Sequence, residues 1–166
     1  GVTKVVQTSV DHGFRVTPEA LEAAITPKTR GLILNSPSNP TGAGYRRSDL
    51  EAIAKVVEKH DLWVISDEMY AKLTYGGYES TWFATLPGMR ERTLTVYGLS
   101  KSYAMTGWRI GIGIADKSVI SAMSRMQGQV TTNPAAVAQA GAVAALSGSH
   151  EFLSHWLEEL DDRRRT

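Results

Sequence analysis

A lysine, an aspartate, an asparagine, a tyrosine and an arginine stand where apolar runs give way to turn-rich words. Lys101 lies between Ser100 and Ser102. A desolvated lysine amine has a depressed pKa and can attack a carbonyl carbon to form a Schiff base, whereas the ordinary lysine is a solvated surface amine. Asp67 ends the run Leu62-Trp63-Val64-Ile65-Ser66. A carboxylate at a strand end can keep a cationic ring nitrogen protonated, or simply cap a turn. Asn39 lies within Asn35-Ser36-Pro37-Ser38-Asn39-Pro40-Thr41-Gly42, where Asn also serves the backbone. Tyr70 offers a hydroxyl on a ring that could equally be a core aromatic. Arg109, after Gly107-Trp108, carries a planar fork suited to phosphate, or is an edge-strand surface charge.

The elements that must position these groups alternate between two periods. Residues 3–9 are rich in β-branched residues and read as a strand. Pro18 to Ile25, after Thr17, reads as a short capped helix. Residues 30–34 form a short apolar strand entering the Asn-Ser-Pro cluster. Ser48 is expected to open a helix whose Leu50, Ile53, Ala54 and Val57 share one face. Strands follow at 62–65 and 93–97, with irregular chain at 74–92 and a neighbouring strand at 108–115. Asp116 caps a helix to Gln127, Asn133-Pro134 starts an Ala-rich helix that stops at Gly148, and Ser149 starts the last one.

Apolar strands separated by amphipathic helices predict an α/β fold, a mostly parallel sheet covered by helices on both faces as a three-layer α/β/α sandwich. Ligands of such folds bind outside the carboxyl ends of the strands. Asn39, then Asp67 with Tyr70, then Ser100 with Lys101 follow three successive strands, which points to one site.

Composition narrows the classes. The 166 residues carry 18 Lys+Arg against 17 Asp+Glu, a formal net charge of +1, so no broad nucleic-acid surface is expected. No apolar run approaches the roughly 20 residues that span a bilayer, so no membrane partner is expected. With no Cys there is no disulfide framework and no thiolate chemistry, which is compatible with a reducing compartment. The chain opens without Met and closes on Leu157-Glu158-Glu159-Leu160, a helix with no stop signal, so a segment of a longer protein is expected.

Three words in order carry a resemblance: Asn35-Ser36-Pro37-Ser38-Asn39-Pro40-Thr41-Gly42, Ser66-Asp67-Glu68-Met69-Tyr70, and Ser100-Lys101-Ser102-Tyr103-Ala104-Met105-Thr106-Gly107-Trp108-Arg109-Ile110-Gly111. Together with the lead-in Ala24-Ile25-Thr26-Pro27-Lys28-Thr29-Arg30, they resemble the fold-type I aminotransferases that depend on pyridoxal phosphate, in the aspartate aminotransferase branch. The resemblance implies that Lys101 forms the Schiff base with pyridoxal 5'-phosphate and later moves the substrate proton. It implies that Asp67 pairs with the pyridine nitrogen, that Asn39 and Tyr70 hydrogen-bond the ring oxygen, and that Arg109 and the Ser100 region hold the phosphate. It further implies amino acid and 2-oxo acid substrates, a homodimer and a cytoplasmic location. Residues 1–166 would be the central part of the large cofactor-binding domain, and from about residue 149 the chain would start a linker helix toward a small domain.

The chain departs from the family pattern at Gly98, where many members place a phosphate-binding Ser. Thr131-Thr132-Asn133-Pro134 resembles the segment that reaches the partner's phosphate site, and is also a plain helix start. The upstream phosphate loop, the aromatic that stacks on the ring and the carboxylate-gripping Arg near the family's C-terminus have no candidate here. Alternatives within the resemblance are a C–S β-lyase, a cyclopropane-forming synthase, the ligand-sensing domain of a transcription regulator, or a stretch inert by itself.

Overall fold

The computed structural model describes residues 1–166. Its sheet has four strands in the order β1 (Gly31–Asn35), β2 (Trp63–Asp67), β3 (Thr93–Gly98) and β4 (Gly111–Ile114). The first three run parallel and β4 pairs antiparallel to β3. The helices are α1 (Pro18–Ala24), α2 (Arg47–Lys59), the single turn α3 (Leu99–Ser102), α4 (Lys117–Val130), α5 (Ala136–Ser147) and α6 (Glu151–Arg165). This is the mostly parallel α/β architecture that the alternating periods predict.

Local chemistry accounts for several of the helix starts. The Thr17 hydroxyl accepts from the Ala20 amide at 3.2 Å, with Pro18 preset for the first helical position. The Asp116 carboxylate accepts from the Ser118 amide at 2.8 Å and opens α4. On α2 the predicted stripe of Leu50, Ile53, Ala54 and Val57 is buried. It packs with Leu34 and Val64 of the sheet and with Leu62, Phe83, Leu86 and Met89 in the main core. Each of these large apolar side chains contributes roughly 1.5–3 kcal/mol by leaving water. Strand alternation puts Leu34, Val64, Thr93, Thr95 and Tyr97 on this packed side.

Coverage of the opposite face is partial. Gly113 of β4 faces Met123 and Ile120 of α4, and Leu94 shares that contact. Toward β1 the same face is open, with Ile33 71% and Ile65 39% exposed. The expectation of helices on both faces is therefore met in full on one side and only at the β3–β4 end on the other.

Other expectations shift. Residues 3–9 are not a strand: β-branched residues favour extended chain, but a strand needs a neighbouring edge, and none pairs with this segment. The second helix opens at Arg47, because the Asp49 carboxylate reaches back to the Arg46 amide at 3.0 Å, making Ser48 an interior residue. The fourth strand is confined to Gly111–Ile114, α4 continues to Val130, and α5 begins at Ala136, beyond Asn133-Pro134. The Ser149 hydroxyl accepts from the Glu151 amide at 3.2 Å, and α6 starts there.

Candidate active site

The carboxyl ends of β1 and β2 are joined by one side chain. Asn35, paired in register with Asp67, donates from Nδ2 to the Asp67 carbonyl at 3.1 Å, and its Oδ1 accepts from the Asn39 amide at 3.2 Å. Asn39 is thereby held over the ends of both strands. Its own Nδ2 donates to the Tyr70 hydroxyl at 3.3 Å. That hydroxyl then keeps its proton for another acceptor.

Asp67 closes β2 and turns the chain. One carboxylate oxygen accepts from the Met69 amide at 3.0 Å, an Asx turn that places Tyr70 above the strand ends. Asp67 and Tyr70 are half-buried, while Asn39 is exposed. From the next strand, α3 carries Lys101 across the gap, and its exposed Nζ lies 5.8 Å from the centre of the Tyr70 ring. An amide, a phenol, a carboxylate and a primary amine thus face one rim.

Ser100 and Arg109 stand further along the chain. Ser100 is half-buried in the α3 turn. The exposed Arg109 folds back on its own segment, donating to the Thr106 carbonyl at 3.0 Å. Its φ of 50° is left-handed, as is that of Ala104 at 52°. Such backbone costs roughly 1–2 kcal/mol per non-glycine residue, and strain of this kind clusters at functional sites. The structure brings Asn39, Asp67, Tyr70 and Lys101 to one rim, and no side-chain hydrogen bond joins Ser100 or Arg109 to them.

Two features escape the sequence. Asn35 is the tie that holds Asn39 in place, and its only signal is an Asn at a strand end four residues before another. At Gly98 the neighbour is Met69: a Cβ would come within 2.7 Å of the Met69 Cε and 3.0 Å of its sulfur, so a side chain there requires the thioether to move. The Met69 thioether fills the space that a side chain at 98 would occupy.

Beneath the rim, Glu68 points the opposite way from Asp67 and is 1% exposed. It accepts from the Ser66 hydroxyl at 2.8 Å and the Phe83 amide at 3.1 Å. Burial holds its carboxyl above the ordinary value; those two donors pull it down, and the Asp67 charge adds a smaller push upward. A surface groove of about 700 Å³ lies elsewhere, between Arg46-Arg47 and residues 76–82 with Thr85, and none of the predicted site residues lines it.

Relatives share this arrangement of elements. The family model for aminotransferase class I and II matches residues 1–166. An aspartate/prephenate aminotransferase of Cereibacter sphaeroides is 46% identical over 166 residues, covering 99% of this chain and 42% of the relative. The crystal structure of the aspartate aminotransferase from Rhizobium meliloti superposes with a TM-score of 0.92 at 45% identity, covering 94% of this chain and 40% of that one. An aromatic aminotransferase from Pyrococcus horikoshii OT3 gives a TM-score of 0.89 at 44% identity, over 96% of this chain and 43% of the other. The chain thus spans about two-fifths of the length of the relatives it matches. With a family model matched from end to end and a sheet that superposes on solved members, the chain belongs to the aminotransferase class I and II family.

Proposed function

We propose that the protein bearing this chain is a pyridoxal-phosphate-dependent aminotransferase, moving an amino group between an L-amino acid, aspartate by default, and a 2-oxo acid. The observation that carries the reading is the rim at the strand ends. The Asn39–Tyr70 hydrogen bond stands beside Asp67, and the Lys101 amine lies 5.8 Å from the Tyr70 ring. The donor set suits the cofactor. A carboxylate with one oxygen outside the Asx turn matches a ring N–H, an amide–phenol pair matches a ring oxygen, an amine matches an aldehyde and a guanidinium matches a phosphate.

Bound there, pyridoxal phosphate supplies a carbonyl for the amine and an electron-withdrawing ring conjugated to the substrate Cα. Asp67 accepts from the ring nitrogen and keeps its proton in place, since a nearby anion favours the cationic form. Asn39 and Tyr70 orient the ring through its oxygen, with the Tyr70 proton free to donate. With the cofactor bound, Lys101 Nζ, freed as an amine, would hold and move the proton of the substrate Cα, a general-base role that needs an amine within reach. Arg109 and the Ser100 turn hold the phosphate, the fork of Arg109 providing paired donors.

The working protein on this reading is a homodimer in the cytoplasm, with residues 1–166 in its large domain and α6 starting the linker toward a small one. Thr131-Thr132-Asn133-Pro134 faces the partner's phosphate. The 166-residue chain by itself turns over little or nothing, because its relatives are more than twice as long.

The test uses the full-length protein with 2-oxoglutarate and candidate amino acids, aspartate first. Glutamate formation is expected, and Lys101→Ala should remove both it and the borohydride-trappable cofactor adduct, lowering turnover by about 10³-fold or more. Release of pyruvate or thiol without amino transfer would assign a lyase. An adduct that survives Lys101→Ala would place the attachment on another lysine.

A further inference from the structure

Lys72, Tyr103 and His150 are scattered along the chain and meet at one hydroxyl. The Lys72 ammonium donates to the Tyr103 oxygen at 2.9 Å across 31 residues, and that oxygen lies 3.2 Å from Nε2 of His150, a further 47 residues on. An ammonium has donors only, so the Tyr103 oxygen accepts from Lys72, and a lone pair and its single proton remain for the bond to His150 Nε2. The ring of Tyr103 adds packing, edge-on to His150 at 5.7 Å and tilted against Phe152 at 5.8 Å.

The three residues belong to three segments that bear on the site. Lys72 ends the turn that carries Asp67 and Tyr70. Tyr103 follows the turn that carries Lys101, and His150 precedes α6. A four-residue helix such as α3 cannot hold itself, because nucleation costs more than one turn returns. Leu99 and Ser102 anchor it from within the fold. What ties it sideways to the Asp67–Tyr70 turn is the Tyr103 hydroxyl.

We propose that Tyr103 is a positioning residue: by bonding Lys72 and His150 at once, its hydroxyl sets where the Lys101 amine stands relative to Tyr70 and Asp67, and locks the α5–α6 junction to that turn. The catalytic consequence rests on the aminotransferase reading, whereas the clamp itself does not.

The experiment is Tyr103→Phe in the full-length protein, which keeps the ring and removes both hydrogen bonds. Backbone hydrogen exchange at 99–105 and 149–153 should rise about tenfold, the scale of a lost charge-assisted bond, while α2 stays unchanged. In the cofactor-loaded protein kcat should fall about tenfold, with KM and cofactor content within about twofold, because a displaced amine weakens the transition state more than ground-state binding. Lys72→Met should reproduce the exchange change at 99–105, and His150→Phe the one at 149–153. Unchanged exchange in Tyr103→Phe overturns the clamp. A fall in kcat matched by an equal loss of cofactor overturns the positioning role and leaves a folding role only. If the unsubstituted protein transfers no amino group, the functional reading fails, and the exchange result alone decides the clamp.

Discussion

The packed side of the sheet and the rim at its carboxyl ends share the same strands yet are built on opposite terms. Below the sheet, Phe83, Ile53 and Val57 are wholly excluded from water, and the polar Glu68 is enclosed with Ser66 and the Phe83 amide. At the rim, Asn39 and Lys101 are exposed, Asp67 and Tyr70 half so, and the side chains keep donors and acceptors to spare. Asp67 and Glu68 make the contrast sharpest: two adjacent carboxylates, one turned to the site and one sealed beneath it. The lower side is a platform of apolar side chains packed on one another, while the upper side leaves its chemistry open to a ligand.

Substitutions can break or sharpen that contrast. The largest effect on folding is expected from Phe83→Ala, which empties a fully buried site and should cost about 3–5 kcal/mol, read from denaturant unfolding of the full-length protein. An effect near zero would mean that the platform is not the source of stability. Asp67→Asn should do the reverse. An amide oxygen can still accept from the Met69 amide, so stability should stay within about 0.5 kcal/mol, while turnover falls by about 10²-fold with loss of the charge. Equal losses of stability and turnover would erase the division between platform and rim.

The smallest effect concerns Glu68 and appears only as a dependence on pH. Its folded-state pKa is raised above the ordinary 4.5, so the native chain keeps a proton that the unfolded chain releases. The unfolded state then binds fewer protons, and stability falls as pH rises. That contribution is complete below about 4.5 and is lost as pH climbs through the raised value. Glu68→Gln should flatten the melting temperature across this window and leave turnover unchanged. A slope that persists would assign it to another group.

Much of both regions is legible along the chain. The stripe on α2, the Thr17 and Asp116 caps and the three parallel strands follow from local periods and from side chains that reach only a few residues. The site residues at the strand ends are legible for a related reason, since a turn must follow each parallel strand and those turns carry Asn39, Asp67, Tyr70 and Lys101. Other features are not. Residues 3–9 have strand composition but pair with neither edge of the sheet. The open face near Ile33 reads in sequence like any apolar strand position, because exposure is a property of neighbours.

By itself the sequence determined the alternation of strands and helices and the order of the words that hold the lysine, the aspartate and the arginine. These depend on residue type, spacing and short-range geometry. Only the tertiary structure decided that Asn35 braces Asn39 across two strands, that Met69 occupies the space beside Gly98, and that Lys72 and His150 meet on the Tyr103 hydroxyl. Each of these joins residues that chain order keeps apart, and closeness between distant residues arises only when the strands pair and the core closes beneath them.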